Sequence, residues 1–361
     1  TYKIYILMII AFCDRIFIYF FFVLEFTMKG FLLLFLIGIA AAAPATKENE
    51  SYVMVIDGNF YRSERIKYKS NHDIVSILVP FNSLIFNRDV PSEPNPKEKV
   101  MDLVLFFTEA DISEDGRKSY KGVSVMKKNK VTKLLENGKD MAASGDNGTV
   151  VFIGASDGLY VYNDEQTAVE KFGSISDDII GIAKEEYGNA IYILTAKKEV
   201  YKVTEKGNTK EIIDDVVDAE QIMLDYHNNL YFYSSDKQVK ICTTEGIKKV
   251  DGLPKNPTNV QLIKPAFVMR DFVPVVVDDS VYIIYTNGTS VKAGIDFKEA
   301  KYRPTAYSME GTIVQYYAYN KTIYEYNMLD IVSGSVLDET KTFLDNKNIT
   351  IQDLITIKHR H

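Results

Sequence analysis

The sequence has 361 residues, with 42 Lys and Arg against 49 Asp and Glu and a formal net charge of −7. An acidic chain is poorly suited to the phosphates of nucleic acid, so we expect no nucleic-acid partner. It has two Cys, of which Cys13 lies in an apolar N-terminal stretch, so Cys242 has no partner for an internal disulfide and the apolar core must stabilise the fold.

Residues 28–45 have the features of a secretory signal peptide. Met28-Lys29 is followed by a short apolar run, and Ala43-Pro44-Ala45 supplies the small residues of a cleavage site. The apolar run is too short to span a bilayer. We therefore expect a secreted, extracellular protein whose mature chain starts near Thr46 and has no membrane partner.

Residues 1–27 carry a second apolar run, interrupted by Asp14-Arg15. A charge pair at the centre of a membrane span is costly, so we expect a non-native upstream segment, with a transmembrane anchor as the alternative. Without residues 1–45 the balance stays acidic, because they hold three basic and two acidic residues.

A weak repeat runs through the rest of the chain. Each copy combines a turn rich in Asn, Asp or Gly with a strand of β-branched and aromatic residues, a second turn and another strand. Taking one apolar position per copy as equivalent gives spacings of 48, 40, 39, 51 and 32 residues, with a mean of 42. The positions taken as equivalent are Leu103, Val151, Ile191, Leu230, Val281 and Ile313.

This period predicts an all-β, six-bladed β-propeller with four strands per blade. Apolar residues almost never keep the three-four spacing of a helix between 100 and 330, and a two-sheet sandwich has turns every 8–12 residues rather than every 40. The first copy is divergent and pairs Asp102–Phe107 with Gly122–Met126 across a polar loop, 108–121.

We expect 46–361 to form a single domain with a short mobile C-terminal tail. Propellers are commonly closed by an N-terminal strand that joins the last blade, and Tyr52–Ile56 is the candidate, with 349–357 offering a further partner. Five Asn-x-Ser/Thr sequons agree with export and predict a glycoprotein. They are Asn49, Asn147, Asn287, Asn320 and Asn348.

Residues just ahead of the innermost strands of a propeller converge on its axis. Together they could form a polar and aromatic pocket for a small organic ligand. Each Asp among them could equally be an ordinary turn residue, or the three could bind a cation such as calcium. The predicted ligand-binding residues are Asp140, Asp178, Asp218, Arg270, Tyr302, Arg303 and Tyr307.

Catalytic signatures are missing from the sequence. It has no nucleophile elbow, no zinc-type His pair, no phosphate-binding Gly loop and no paired-Cys spacing, and only His72 and His227 lie in the body of the chain. We therefore predict no catalytic residue, no metal site and no cofactor.

Two of the repeat copies, LDYHNNLYFYSSDKQVKIC and IAKEEYGNAIYILTAKKEVYKV, resemble the insect ommochrome-binding protein family, and the resemblance extends over roughly residues 50–330. It implies a haemolymph protein that carries a tricyclic, tryptophan-derived pigment. No ligand residue of the family can be transferred by position, so the pocket residues rest on the strand argument alone.

Three functions follow as hypotheses. The first is a secreted binding or carrier protein for a small aromatic partner such as an ommochrome pigment, held at the axial channel. In that hypothesis Tyr302 and Tyr307 offer stacking surfaces and Arg270 and Arg303 offer cations. One alternative is a calcium-dependent lactonase or esterase. The other is a defence protein that recognises its partner through its outer surface and needs no pocket.

Overall fold

The computed structural model describes residues 53–80, 104–143, 150–186, 188–266, 269–311 and 314–328, all within the compact unit Val53–His361. Besides strands, these residues form short 3-10 turns at Gly58–Phe60, Ser63–Arg65, Glu205–Gly207 and Ala300–Tyr302. In these ranges no helix is long and apolar enough to cross a membrane. The predicted signal peptide, the upstream segment, the C-terminal tail and segment 349–357 lie outside the described residues.

Two strands precede the repeats, and three antiparallel blades follow them. The first two strands are β1 (Met54–Ile56) and β2 (Ile66–Lys69). Blade 1 contains β3 (Asp73–Leu78), β4 (Val104–Ile112), β5 (Lys118–Lys127) and β6 (Lys130–Leu135). Blade 2 contains β7 (Gly138–Ala143), β8 (Val151–Ala155), β9 (Gly158–Asn163) and β10 (Ala168–Lys171). Blade 3 contains β11 (Ile179–Lys184), β12 (Ile191–Thr195), β13 (Val200–Thr204) and β14 (Thr209–Ile212).

The remaining three blades complete the series. Blade 4 contains β15 (Ala219–Leu224), β16 (Leu230–Ser234), β17 (Val239–Thr243) and β18 (Gly246–Lys249). Blade 5 contains β19 (Val260–Leu262), β20 (Phe272–Val277), β21 (Ser280–Tyr285) and β22 (Ser290–Phe297). Blade 6 contains β23 (Ala306–Ser308), β24 (Val314–Tyr319) and β25 (Thr322–Asn327), and its fourth strand comes from the N-terminal side of the chain.

The six blades form a β-propeller, as the repeat predicts. Each blade junction is filled by its own cluster of buried apolar side chains, including the junction between blades 6 and 1. Blade 1 packs on blade 2 through Phe106, Val123 and Ile153, for example. Because β-branched and aromatic side chains alternate along these strands, both faces of a blade can pack on a neighbour, and the ring closes.

An N-terminal strand does close the ring, but it is β2 and not the predicted Tyr52–Ile56. Strand β2 pairs antiparallel with β25 as the outer strand of blade 6. Strand β1 instead pairs in parallel with β22 and adds a fifth strand to blade 5. The intervening turn packs Phe60 against Tyr326 with ring centroids 4.4 Å apart, which stabilises the closure.

Two details of the predicted repeat are wrong. Val281 lies in the third strand of blade 5 and is not equivalent to the others, because the second strand is Phe272–Val277. From blade 2 onward the second strands begin at residues 151, 191, 230, 272 and 314, which are 39 to 42 residues apart. In blade 1, β4 and β5 continue through most of the predicted polar loop 108–121 as an extended hairpin.

Candidate ligand site in the axial channel

The innermost strands β3, β7, β11, β15, β19 and β23 surround a cavity of about 130 Å³ on the propeller axis. Its lining combines apolar strand residues with polar side chains, and more of its accessible wall is polar than apolar. The polar lining residues are Ser76, Asp140, Lys184, Gln221, Gln261, Lys264, Tyr307 and Glu310. Every blade therefore contributes to one shared site.

Asp140 connects three blades at the entrance end of the channel, where the inner strands begin. Its carboxylate accepts a hydrogen bond from the Ser76 hydroxyl of blade 1 at 2.9 Å and from the Ile182 N–H of blade 3 at 3.0 Å. Burial raises the pKa of Asp140, while these two hydrogen bonds lower it. The residue lies within β7 and not in the turn ahead of it, because the strand begins at Gly138.

The same kind of link continues around the ring. The Gln221 side chain of blade 4 donates to the Leu262 carbonyl at 3.0 Å and accepts from the Leu262 N–H at 2.9 Å. Gln261 donates to the Thr305 carbonyl at 3.3 Å, and the Thr305 hydroxyl donates to the Ile74 carbonyl of blade 1 at 2.6 Å. Inner-strand backbone groups are thus paired between blades by side chains, since neighbouring blades share no strand ladder.

A β-bulge explains why these side chains reach the next blade. The pairing register shifts just before Ser76, Asp140, Gly181 and Gln221. A bulge turns the following side chain away from the regular alternation of the strand. At the equivalent place in blade 3 stands Gly181, which has no side chain to extend.

Tyr307 lies in β23, lines the channel and has a buried hydroxyl with no hydrogen-bond partner among the described residues. Burial, followed by the neighbouring Tyr317, raises its pKa well above the usual value, so the group stays a neutral phenol. An unpaired buried hydroxyl is rare, because it loses its hydrogen bonds to water on folding.

The far end of the channel holds Lys264 and Glu310. Lys264 donates from Nζ to the Ala143 carbonyl at 3.2 Å. Glu310 is 1 % exposed and accepts a hydrogen bond from the Ser308 hydroxyl at 2.5 Å. Burial raises the pKa of Glu310, and the positive charge of Lys264 opposes that shift.

Asp178 and Asp218 directly precede β11 and β15 as predicted, but both are turned to the surface. Asp178 forms an ion pair with Lys139 of blade 2, and Asp218 lies 3.0 Å from the Lys198 ammonium of blade 3. Neither lines the cavity. These two carboxylates pair with lysines of the preceding blades and so link neighbouring blades.

Tyr302 and Arg303 lie ahead of β23, near the entrance end. The Tyr302 ring has Lys301 over one face, with Nζ 5.0 Å from the centroid, and lies against Gly58. Arg303 donates from Nη1 to the Asp278 carbonyl at 2.9 Å. Its positive charge opposes the rise in the pKa of the Tyr307 hydroxyl that burial causes.

Arg270 lies apart from these residues. It is exposed and stands two residues before β20, whereas Arg303 contacts Asp278 just after the last residue of that strand. Six strand residues cover about 20 Å. The structure therefore brings Arg303 and Tyr307 together and leaves Arg270 at the opposite end of the propeller.

Sequence reasoning found two of the channel residues, Asp140 and Tyr307, and missed Gln221, Gln261, Lys264 and Glu310. For Gln221 and Gln261 the signal was a polar residue inside an apolar inner strand at the repeat spacing, since the two are 40 residues apart. Lys264 and Glu310 lie after the last residues of their strands and carry no such signal. In the described ranges no group of three His, Cys, Asp or Glu is arranged to hold a metal ion.

No protein-family model and no curated protein matches the chain. Among solved structures it is similar to PorZ of Porphyromonas gingivalis, a surface component of the type-IX secretion system, with 8% identity and a TM-score of 0.44. That match covers 72% of this chain and 37% of PorZ, so the chain spans little more than a third of its length. Hydrazine synthase of Kuenenia stuttgartiensis matches with 12% identity and a TM-score of 0.48, over 79% of this chain and 86% of the enzyme. Neither similarity bears on what this chain binds.

Proposed function

We propose that this chain is a secreted binding protein that holds a small aromatic molecule in the axial channel. The observation that carries the proposal is the axial cavity, to which all six blades contribute, and its lining includes Tyr307, whose buried hydroxyl has no partner among the described residues. Leaving such a group unpaired costs about 1–3 kcal/mol, and a ligand that bonds to it recovers that cost. The lining also includes apolar strand residues, such as Leu78, Ile222 and Leu262, against which an aromatic ring can pack.

The size of the cavity defines the ligand more closely. By volume, a cavity of about 150 Å³ can admit benzene, and this channel has about 130 Å³. The channel itself is thus suited to one aromatic ring. A tricyclic ommochrome, which the family resemblance implies, would place one ring in the channel and extend toward Arg303 at the entrance.

The calcium-dependent hydrolase is less well supported. It needs several carboxylates to converge on the axis, and Asp178 and Asp218 are paired with lysines at the surface instead. Asp140 uses its oxygens to bridge blades 1 and 3.

Calorimetric titration with 4-hydroxybenzoate and absorbance titration with xanthommatin test the proposal. We expect binding at one site per chain, and we expect Tyr307→Phe, which removes only the hydroxyl, to weaken it about five- to tenfold. The matched control is Tyr201→Phe, whose hydroxyl bonds Glu199 on an outer strand at 2.9 Å. Absence of binding by both compounds, or equal affinity of the Tyr307 variant, would contradict the proposal.

A further inference from the structure

Lys264 crosses the propeller axis. Its residue belongs to blade 5, just after β19, and its ammonium contacts the carbonyl of Ala143 at the end of β7 in blade 2. The junction clusters place the six blades in chain order around the ring, so blades 2 and 5 face each other across the channel. The Lys264 side chain therefore covers one end of the cavity, and we call this end the floor.

The floor has an available cation. An ammonium carries three N–H donors, and among the described residues Lys264 spends one of them, on Ala143. Glu310 lies nearby, but its buried carboxyl accepts from the Ser308 hydroxyl, and the ion pairs of the described residues do not include one between Glu310 and Lys264. Lys184, also in the lining, turns back to the carbonyls of Glu185 and Gly188. The positive charge that faces the cavity thus comes from Lys264.

The opposite end holds the buried carboxyl of Asp140, with Lys118 close enough to act on it, and lies at a defined distance. Asp140 and Ala143 belong to the same strand, three residues apart, which corresponds to about 10 Å. One benzene ring with a group at each of its two ends has a comparable length. Tyr307 also belongs to the lining of the cavity.

From this arrangement we propose that the channel selects a single-ring aromatic carboxylic acid, with the ligand carboxylate bound to the Lys264 ammonium and its ring toward Asp140. This inference rests on the proposed function and adds the charge and the orientation of the ligand. A charge-assisted hydrogen bond in a site shielded from water is stronger than a neutral one, so the acid gains more from this floor than a neutral ligand does.

The test compares 4-hydroxybenzoate with its neutral amide, 4-hydroxybenzamide, which has nearly the same size and shape. We expect the wild-type protein to bind the acid at least about tenfold more tightly than the amide. Lys264→Met keeps the length of the side chain and removes its charge, so the preference should fall to within about threefold. Lys264→Arg should retain the preference, and it guards against a loss that comes from misfolding of the Met variant.

Lys248→Met is the matched control, because Lys248 lies on the outer strand β18 and pairs with Glu245 at 2.7 Å. It should leave both affinities unchanged. Equal binding of acid and amide by the wild type overturns this inference and leaves the proposed function standing. If neither compound nor xanthommatin binds, the proposed function and the inference fail together.

Discussion

The links between inner strands can be tested at Gln221, whose amide replaces the strand pairing that blades 4 and 5 lack. Gln221→Ala removes both of its hydrogen bonds to Leu262, a residue that is 4% exposed. Each lost bond costs about 1 kcal/mol, and each buried backbone group left without a partner adds to that cost. We expect the variant to lose about 2–4 kcal/mol of unfolding free energy.

Urea unfolding followed by circular dichroism measures this loss from the midpoint, provided that the slope stays the same. The matched control is Gln238→Ala, because Gln238 lies away from the axis, is only partly buried and makes a 2.7 Å bond to the Lys255 carbonyl. The control should lose less than about 1 kcal/mol. If both variants lose the same amount, the amide link at the axis does not hold the blades together, and the apolar junction clusters carry the ring alone.

Three further outcomes are expected. Burial raises the pKa of Glu310, so the folded state holds a proton that the unfolded chain releases, and stability falls as pH rises from about 4. Glu310→Gln should therefore raise the melting temperature at about pH 7 and leave it unchanged at about pH 4. A gain at both pH values would refute this. Cys242 lies partly buried in β17, and burial raises the pKa of its thiol. A thiol reagent should therefore label it more slowly in the native protein than after denaturant is added, and equal rates would contradict this. Asn287 and Asn320 are exposed in turns, so a deglycosylating enzyme should lower the mass of secreted protein, and Asn287→Gln should remove part of that change.

The fold was predictable where local patterns carry it. Alternating apolar and aromatic residues with polar turns predict strands, and their period predicts blades. Blade 5 was misassigned because Pro274 interrupts its second strand, and Pro is normally confined to edge strands. Pro274 still takes part in the strand pairing, because its carbonyl accepts a hydrogen bond from the Ile263 N–H at 3.1 Å.

The prediction of the closing strand was wrong for a different reason. The apolar segment Met54–Ile56 has the stronger strand pattern, whereas Ile66–Lys69 alternates with lysine and resembles a surface segment. An outer strand of a blade has few apolar neighbours to contact, so a charged sequence is suitable there. Hydrophobicity therefore favoured the wrong segment, and only the pairing with β25 identifies the right one.

The channel was harder to predict because its contacts join residues far apart in the chain. Asp178 and Asp218 precede inner strands, as the argument required, yet lysines of the preceding blades pair with them at the surface. Lys264 reaches Ala143 across 121 residues of sequence. The repeat predicts how far along a blade each residue lies. Whether its side chain makes a contact across the axis depends on the residue that faces it from the opposite blade. Lys184, at the end of β11, turns back to neighbouring carbonyls. Lys264 therefore determines the charge of the floor, although nothing in its local sequence distinguishes it from the lysines of the surface.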